Sequence, residues 1–255
     1  MNIFIGYKAW KEEEYLLNKM SLRDLQRAYI TYPGIQVYFV LLVVSLIGAL
    51  ATMTSPVRLL IAMAASVILY PAIWYSLHRW VLHGAWMYKS PMTAKVWKRV
   101  HFDHHRFPND LSVLFGGLHT TLPTIVFLTG PVGWIIGGLP GALAAIAAAL
   151  GTTCVYEFWH CGQHLAFEPK SAFWQRIKKL HLAHHYHNEN GNYGITNFIV
   201  DELMGTHYEE VEEMPRSATA RNLGYTDEVA ETYPWVKELT EAEGKAQRGL
   251  RADPA

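Results

Sequence analysis

The chain has 255 residues, of which 51% are hydrophobic and only 17% charged, against roughly 25% charged in an ordinary soluble domain. Its 22 basic and 22 acidic residues cancel, which removes the electrostatic pull that a nucleic-acid binder needs. Cys154 and Cys161 are its two cysteines, too few for a disulfide framework and spaced wrongly for a CxxC metal pair.

Residues 1–32 carry charges where a secretory signal would have its apolar core, so this segment reads as retained. Trp10, Leu16, Leu17, Met20, Leu25 and Tyr29 alternate with charges. That pattern suits an amphipathic helix lying on a bilayer, and equally a soluble helix packed on a cap. A nearly uncharged run at 35–53 has about the 20 residues that cross a bilayer. TSPVR breaks it, and a second apolar run at 59–77 leads straight into His78.

The apolar region 111–159 is too long for one span. Pro123, Gly130, Pro131 and the group from Gly137 to Gly141 punctuate it, and division at that group predicts helices at 118–136 and 141–159. A single span with a re-entrant piece is the alternative. Residues 1–207 thus read as one membrane-embedded unit. Residues 208–255, with the acidic run Glu209, Glu210, Glu212 and Glu213, read as a solvated polar tail with one helix near 227–244.

Basic residues set the orientation. Lys8, Lys11, Lys19, Arg23 and Arg27 precede the first run; Arg79, Lys89, Lys95, Lys98, Arg99 and Arg106 lie between the second and third; Lys170, Arg176, Lys178 and Lys179 follow the last. The two short turns at 54–58 and 137–141 hold only Arg58. The positive-inside rule then places both termini on the cytoplasmic side. The expected fold is an all-α, multi-pass integral membrane protein: four transmembrane helices under a cytosolic helical cap.

Ten of the 13 histidines fall in four clusters on that same side: His78 and His83; His101, His104 and His105; His160 and His164; His181, His184 and His185. Neutral imidazole is the commonest biological metal ligand. Positions i, i+3 and i+4 share one helix face, so each HxxHH is expected to aim three rings at one point. His78 and His83 are five apart, which on a regular helix leaves them about 140° apart. Either the helix ends or bulges between them, or they serve different metals. His119 and His207 lack clustered partners and read as interfacial or structural. Asp103, His187 and Asn188 are candidates for an outer shell; Asp103 would orient an imidazole or stand as a solvated charge. No separate acid or base is evident.

An all-imidazole set suits iron, zinc, copper or nickel. Structural zinc would need four ligands, not ten. Two redox-active irons that bind and split dioxygen are the economical reading, with zinc able to replace them in purified protein.

These four clusters resemble, in order, the HxxxxH, HxxHH, HxxxH and HxxHH pattern of the fatty acid hydroxylase and sterol desaturase superfamily of membrane diiron enzymes. The run that follows, ending D-x-x-x-G-T from Asp201 to Thr206, resembles the same family. Carotenoid hydroxylases share the HRWxxH-type beginning but fit the third and fourth clusters less well. The resemblance implies an oxygen-dependent hydroxylase acting on an aliphatic lipid, with a desaturase as the nearest alternative. A non-redox metal-binding membrane protein is a third reading, and the lack of ionisable residues in the centres of the spans counts against it.

Some relatives carry a fused cytochrome b5 domain. Its His-Pro-Gly-Gly motif is missing here, so a separate electron donor is expected: a ferredoxin or a cytochrome b5-like protein with its reductase. Lys95, Lys98, Arg99 and Arg106 would form its docking patch, or simply reflect the positive-inside bias. Trp80, Trp86, Trp97, Phe102 and Phe158 suit an apolar tunnel or interfacial anchoring. Neither the substrate nor the oligomeric state is named by the sequence.

Overall fold

A computed structural model describes residues 5, 6, 10 and 14–252, with side chains described to residue 244. Lys8 and Lys11 of the expected basic set lie outside these. Among the described residues the regular structure is helical, apart from one isolated bridge between Leu16 and Asp110.

Helix α1 (Leu22–Thr31) starts at a capping box: Ser21 Oγ accepts the Asp24 N–H at 3.2 Å, and the Asp24 carboxylate accepts the Ser21 N–H at 3.0 Å. Leu17 and Leu25 are buried in a core with Leu111, Phe115 and Leu150. Trp10 Nε1 donates to the Ala28 carbonyl at 3.1 Å. The N-terminal segment therefore packs on protein along this face.

Helix α2 (Pro33–Ala51) and helix α3 (Pro56–Ser76) each begin at a proline, whose fixed φ and missing N–H suit that position. A π-helical turn, Leu77–Leu82, extends α3. Two short helices follow, α4 (Pro91–Trp97) and α5 (Asp103–Arg106), joined by a second π-helical turn at Lys98–Phe102.

Helix α6 (Leu118–Gln163) is broken in the middle. Gly137 has φ −145° and ψ 17°, and Gly138 has φ 64° and ψ −150°, a conformation that side chains strongly disfavour. The chain folds back there, since a Cβ on Gly133 would fall 2.3 Å from the Gly141 carbonyl oxygen and 2.6 Å from Ala145 Cβ. Glycine alone permits that approach. The break falls within the expected 137–141 turn, and the second arm continues to Gln163, past the expected end at 159. Helix α3 packs on this arm, with Ser66 Oγ donating to the Ala145 carbonyl at 2.9 Å and Tyr70 bonding Thr153 Oγ1 at 3.1 Å.

Three helical segments, Pro33–Ala51, Pro56–Leu82 and Leu118–Gln163, are long and apolar enough to cross a membrane. Their outward side chains stay apolar: Ile68 is 75% exposed and Ile135 is 84% exposed. Such a surface is costly in water and at home in lipid.

Beyond α6 come α7 (Ala172–Tyr186), α8 (Ile199–Met204), α9 (Asp227–Thr232) and α10 (Trp235–Ala252). The single helix expected near 227–244 is thus two, separated at Pro234, which lacks the N–H to continue α9. Nor does this region stand off as a solvated tail. Leu223, Tyr225, Ala230 and Val236 bury against Met87, Tyr88, Trp97 and Phe102.

Candidate metal centre

The ten clustered histidines converge into two groups of five. His78, His83, His101, His105 and His184 form group one; His104, His160, His164, His181 and His185 form group two. Within each group the donor nitrogens all lie within 4.8 Å of one another.

The two HxxHH motifs do not aim three rings at one point. Each sends its i, i+4 pair to one group and its i+3 ring to the other: His101 and His105 join group one while His104 joins group two, and His181 and His185 join group two while His184 joins group one. The i+3 side chain is displaced around the helix from the i, i+4 pair. With the groups side by side, that displacement carries it to the neighbour.

His78 and His83 both enter group one because the helix bulges between them. The His83 N–H bonds the His78 carbonyl at 3.0 Å, the i→i+5 pattern of a π turn, which brings two residues five apart back to one side. Their Nε2 atoms are 3.2 Å apart, and His101 Nε2 lies 3.2 Å from His78 and 2.9 Å from His83. In group two, His104 and His160 Nε2 are 3.1 Å apart, and His164 and His181 Nε2 are 3.0 Å apart.

These spacings fit a shared cation. Donors at right angles around an ion about 2.1 Å away lie about 3.0 Å from each other. The buried nitrogens His105 Nε2 and His184 Nε2 have no hydrogen-bond partner among the described residues, and neither does either ring nitrogen of His185. Backbone carbonyls orient several rings from behind: His78 Nδ1–H donates to Tyr193, His105 to Ala220 at 2.8 Å and His184 to Gly191 at 2.8 Å. That fixes Nε2 as the inward lone pair in those three. Burial pushes His184 down to about 4 and holds His101, His104, His105, His181 and His185 well below the usual imidazole range. The rings are therefore neutral, the form that binds metal.

A cavity of about 290 Å³ opens onto both groups, lined by His78 and His101 of the first and His104 and His160 of the second. The rest of its wall is mostly apolar, including Trp74, Leu77, Leu82 and Trp97.

A family model for fatty acid hydroxylases matches residues 63–206, more than half of the chain. The chain belongs to the fatty acid hydroxylase family. Among curated members, the ceramide very long chain fatty acid hydroxylase SCS7 of Saccharomyces cerevisiae is 30% identical over 55% of this chain and 36% of its own length. The dihydroceramide fatty acyl 2-hydroxylase FAH2 of Arabidopsis thaliana is 29% identical over 56% of this chain and 59% of its own. The chain thus spans well under two thirds of either relative. A beta-carotene hydroxylase from a Paracoccus species is 26% identical over 48% of this chain and 70% of its own. Among solved structures, the hydroxylase domain of full-length Scs7p aligns with a TM-score of 0.59, 24% identity, and coverage of 79% of this chain and 71% of that one. That likeness is one of fold.

In this fatty acid hydroxylase family member the D-x-x-x-G-T run has a clear structural use. Asp201 accepts the N–H groups of Tyr193 and Gly194 at 2.8 and 2.7 Å and the Thr206 hydroxyl at 2.8 Å. Gly205, at φ +66°, ends α8 so that the Thr206 N–H can return to the Asp201 carbonyl at 2.9 Å. The run thereby secures the loop whose Tyr193 carbonyl orients His78.

The other singled-out residues fall elsewhere. Asp103 is neither bonded to an imidazole nor a solvated charge. Its carboxylate is held by Lys98 Nζ at 2.8 and 3.1 Å, and Lys98 also pairs with Glu243 at 2.6 Å. Lys98, 3% exposed, is thereby withdrawn from the expected docking patch, and Arg99 donates to the Ser112 carbonyl at 2.9 Å; Lys95 and Arg106 remain exposed. His187 donates to the Met214 carbonyl at 2.7 Å, and the Asn188 amide donates to Pro215 at 2.7 Å. His119 and His207 stay outside both groups.

Of the five aromatics read as a tunnel, Trp97 lines the cavity. Phe102 packs behind it, Trp80 and Trp86 are exposed, and Phe158 lines a separate hollow beside Trp159. The sequence reading missed Glu157. It sits in the cavity wall three residues before His160, and a carboxyl inside an apolar run was its signal.

Proposed function

We propose that the two five-histidine groups hold two iron ions and that the protein is an oxygen-dependent hydroxylase of an aliphatic lipid. The observation that carries this reading is the apolar cavity, which touches both groups at once. Bound iron would supply the redox chemistry that activates dioxygen toward a C–H bond. The chain's own residues do the rest. Neutral imidazoles present lone pairs, the carbonyls of Tyr193, Ala220 and Gly191 fix their orientation, and Trp74, Leu77, Leu82 and Trp97 hold an aliphatic segment and exclude water. Hydroxylation is preferred to desaturation because the curated relatives matched are named hydroxylases.

The broken α6 supports a reading with four membrane crossings, the two arms of α6 counting as two. The basic-residue bias then puts both ends, the cap and the histidines on the cytoplasmic side. Two electrons per turnover enter there from a ferredoxin or cytochrome b5-like donor.

The test is reconstitution. Iron-loaded protein with lipid, oxygen and a reductase chain should yield products heavier by one oxygen, with two irons per chain. Products lighter by two hydrogens would replace hydroxylation with desaturation. Full activity in protein carrying zinc alone would overturn the redox reading.

A further inference from the structure

A second hollow, of about 260 Å³, lies apart from the cavity that opens onto the histidines. Leu22 of α1, Phe158, Trp159 and Gly162 of α6, Phe167 of the following loop and Trp174 of α7 line it. Its wall continues the outward apolar stripe of α6, because Val155, 59% exposed, lies one turn before Trp159 on the same helix side. Trp159 and Trp174 stack at 3.7 Å with their planes 12° apart, a rigid slab of ring surface. Gly162 keeps the hollow open: a Cβ there would meet only the Trp159 ring, at 3.9 Å. Phe173, beside Trp174, is 54% exposed. Aromatic side chains collect where a bilayer meets water, and an exposed apolar patch of this kind marks contact with another molecule.

The mouth of the hollow is basic. Lys170 and Lys178 both border it. Lys178 Nζ is committed, donating to the Leu165 and Phe167 carbonyls at 2.8 and 2.6 Å and pairing with Glu168 at 3.4 Å. Lys170 is exposed and has no ion-pair partner among the described residues. Arg23, also exposed, follows Leu22 in the chain. An apolar slot with an uncommitted ammonium at its mouth is complementary to a phospholipid: chain below, phosphate above. The surplus of positive charge selects a headgroup with net negative charge.

We propose that this hollow seats one anionic phospholipid of the surrounding bilayer, an acyl chain packed on Trp159 and Trp174 and the phosphate held by Lys170. The lipid bridges α1, the end of α6 and α7, and so braces from outside the two helices that carry the last five clustered histidines. No histidine lines the hollow. Its occupant is therefore a lipid of the fold and not of the reaction, and the site stands independently of the hydroxylase reading.

The test is lipid counting on the full-length protein. Delipidated protein in detergent would be titrated with dioleoyl phosphatidylglycerol or dioleoyl phosphatidylcholine, and bound lipids counted by native mass spectrometry. Wild type should bind its first phosphatidylglycerol about fivefold tighter than its first phosphatidylcholine, the worth of one basic side chain at a membrane surface. Lys170→Ala should cut phosphatidylglycerol affinity about fivefold and leave phosphatidylcholine unchanged, whereas Lys95→Ala, elsewhere on the cap, should change neither. Gly162→Leu, which places a side chain in the hollow at a helical position that tolerates leucine well, should weaken the first binding event for both lipids. Equal affinity of wild type for the two lipids would overturn the site. So would a preference that survives in Lys170→Ala, or an undiminished first lipid in Gly162→Leu, since either would reduce the binding to adsorption by surface charge. If Gly162→Leu does not fold, the comparison of Lys170→Ala with Lys95→Ala, both at exposed residues, decides alone.

Discussion

Asp201 Oδ1 accepts the backbone N–H of Tyr193 at 2.8 Å, and the carbonyl of that same Tyr193 accepts Nδ1–H of His78. One carboxylate on α8 thus sets the tautomer and angle of a ring at the end of α3. Replacing it with alanine strands the N–H groups of Tyr193 and Gly194. Asp201→Ala is expected to weaken metal binding at group one by about 10- to 100-fold, the usual cost of losing outer support. Elemental analysis across a chelator series checks this, with His119→Ala as the unchanged control.

Adjacent residues should behave as members of different sites. His105→Ala is expected to deplete group one and His104→Ala group two, each lowering metal from two ions per chain toward one. Both should abolish hydroxylation, because the cavity touches both groups. If His104→Ala and His105→Ala gave the same depleted site by spectroscopy, the division would be wrong.

The neutral imidazoles also fix the sign of a pH effect. In the unfolded chain they protonate below about 6.5, whereas burial holds His184 at about 4 and its neighbours well below their usual range. The unfolded state binds more protons in that window, so stability falls as pH drops from about 6.5 toward 4 and is insensitive to these rings above it. Melting temperatures of metal-free protein at pH 7.5, 6 and 5 should decline in that order. Metal should leave over the same range, as protons compete for the donors.

Lys98 supports the fold, not a docking partner. Its ion pair with Asp103 is buried, and removing one member of such a pair costs roughly 3–5 kcal/mol. Lys98→Ala should lower the melting temperature by several degrees and leave the Michaelis constant for the electron donor unchanged. Lys95→Ala combined with Arg106→Ala should show the opposite pattern if the exposed patch docks that donor.

The four proposed crossings make a labelling prediction. In a background lacking Cys154 and Cys161, Thr54→Cys and Lys95→Cys should react with impermeant reagents from opposite sides of sealed vesicles. Reaction from one side would refute the topology.

The histidine spacing announced that the ten clustered rings gather, and Gly137–Gly141 announced the reversal in α6, because glycine and proline leave marks in sequence that the backbone must obey. The partition of the HxxHH motifs was not legible. It depends on two neighbouring centres standing side by side, which no spacing reveals; nor did the five-residue separation of His78 and His83 say whether the helix ended or bulged, as it does in the π turn at Leu77–Leu82. The docking of Leu223, Tyr225, Ala230 and Val236 was hidden because these apolar residues are spread through a polar segment. The pairing of Asp103 with Lys98 was hidden because a position between two ligands invites a role at the metal.

The interleaving of the two groups also bears on how the protein is made. Group one closes between His78 and His184, and group two between His104 and His185. A ribosome delivering the chain from its N-terminus completes neither set until the final HLAHH has emerged, well after the first apolar helices have entered the bilayer. On the proposed reading, metal insertion is therefore a late maturation step. The last histidines of the two groups, His184 and His185, are adjacent in sequence, so a chain that stops short of HLAHH leaves both groups incomplete together, with four of five histidines in one and three of five in the other.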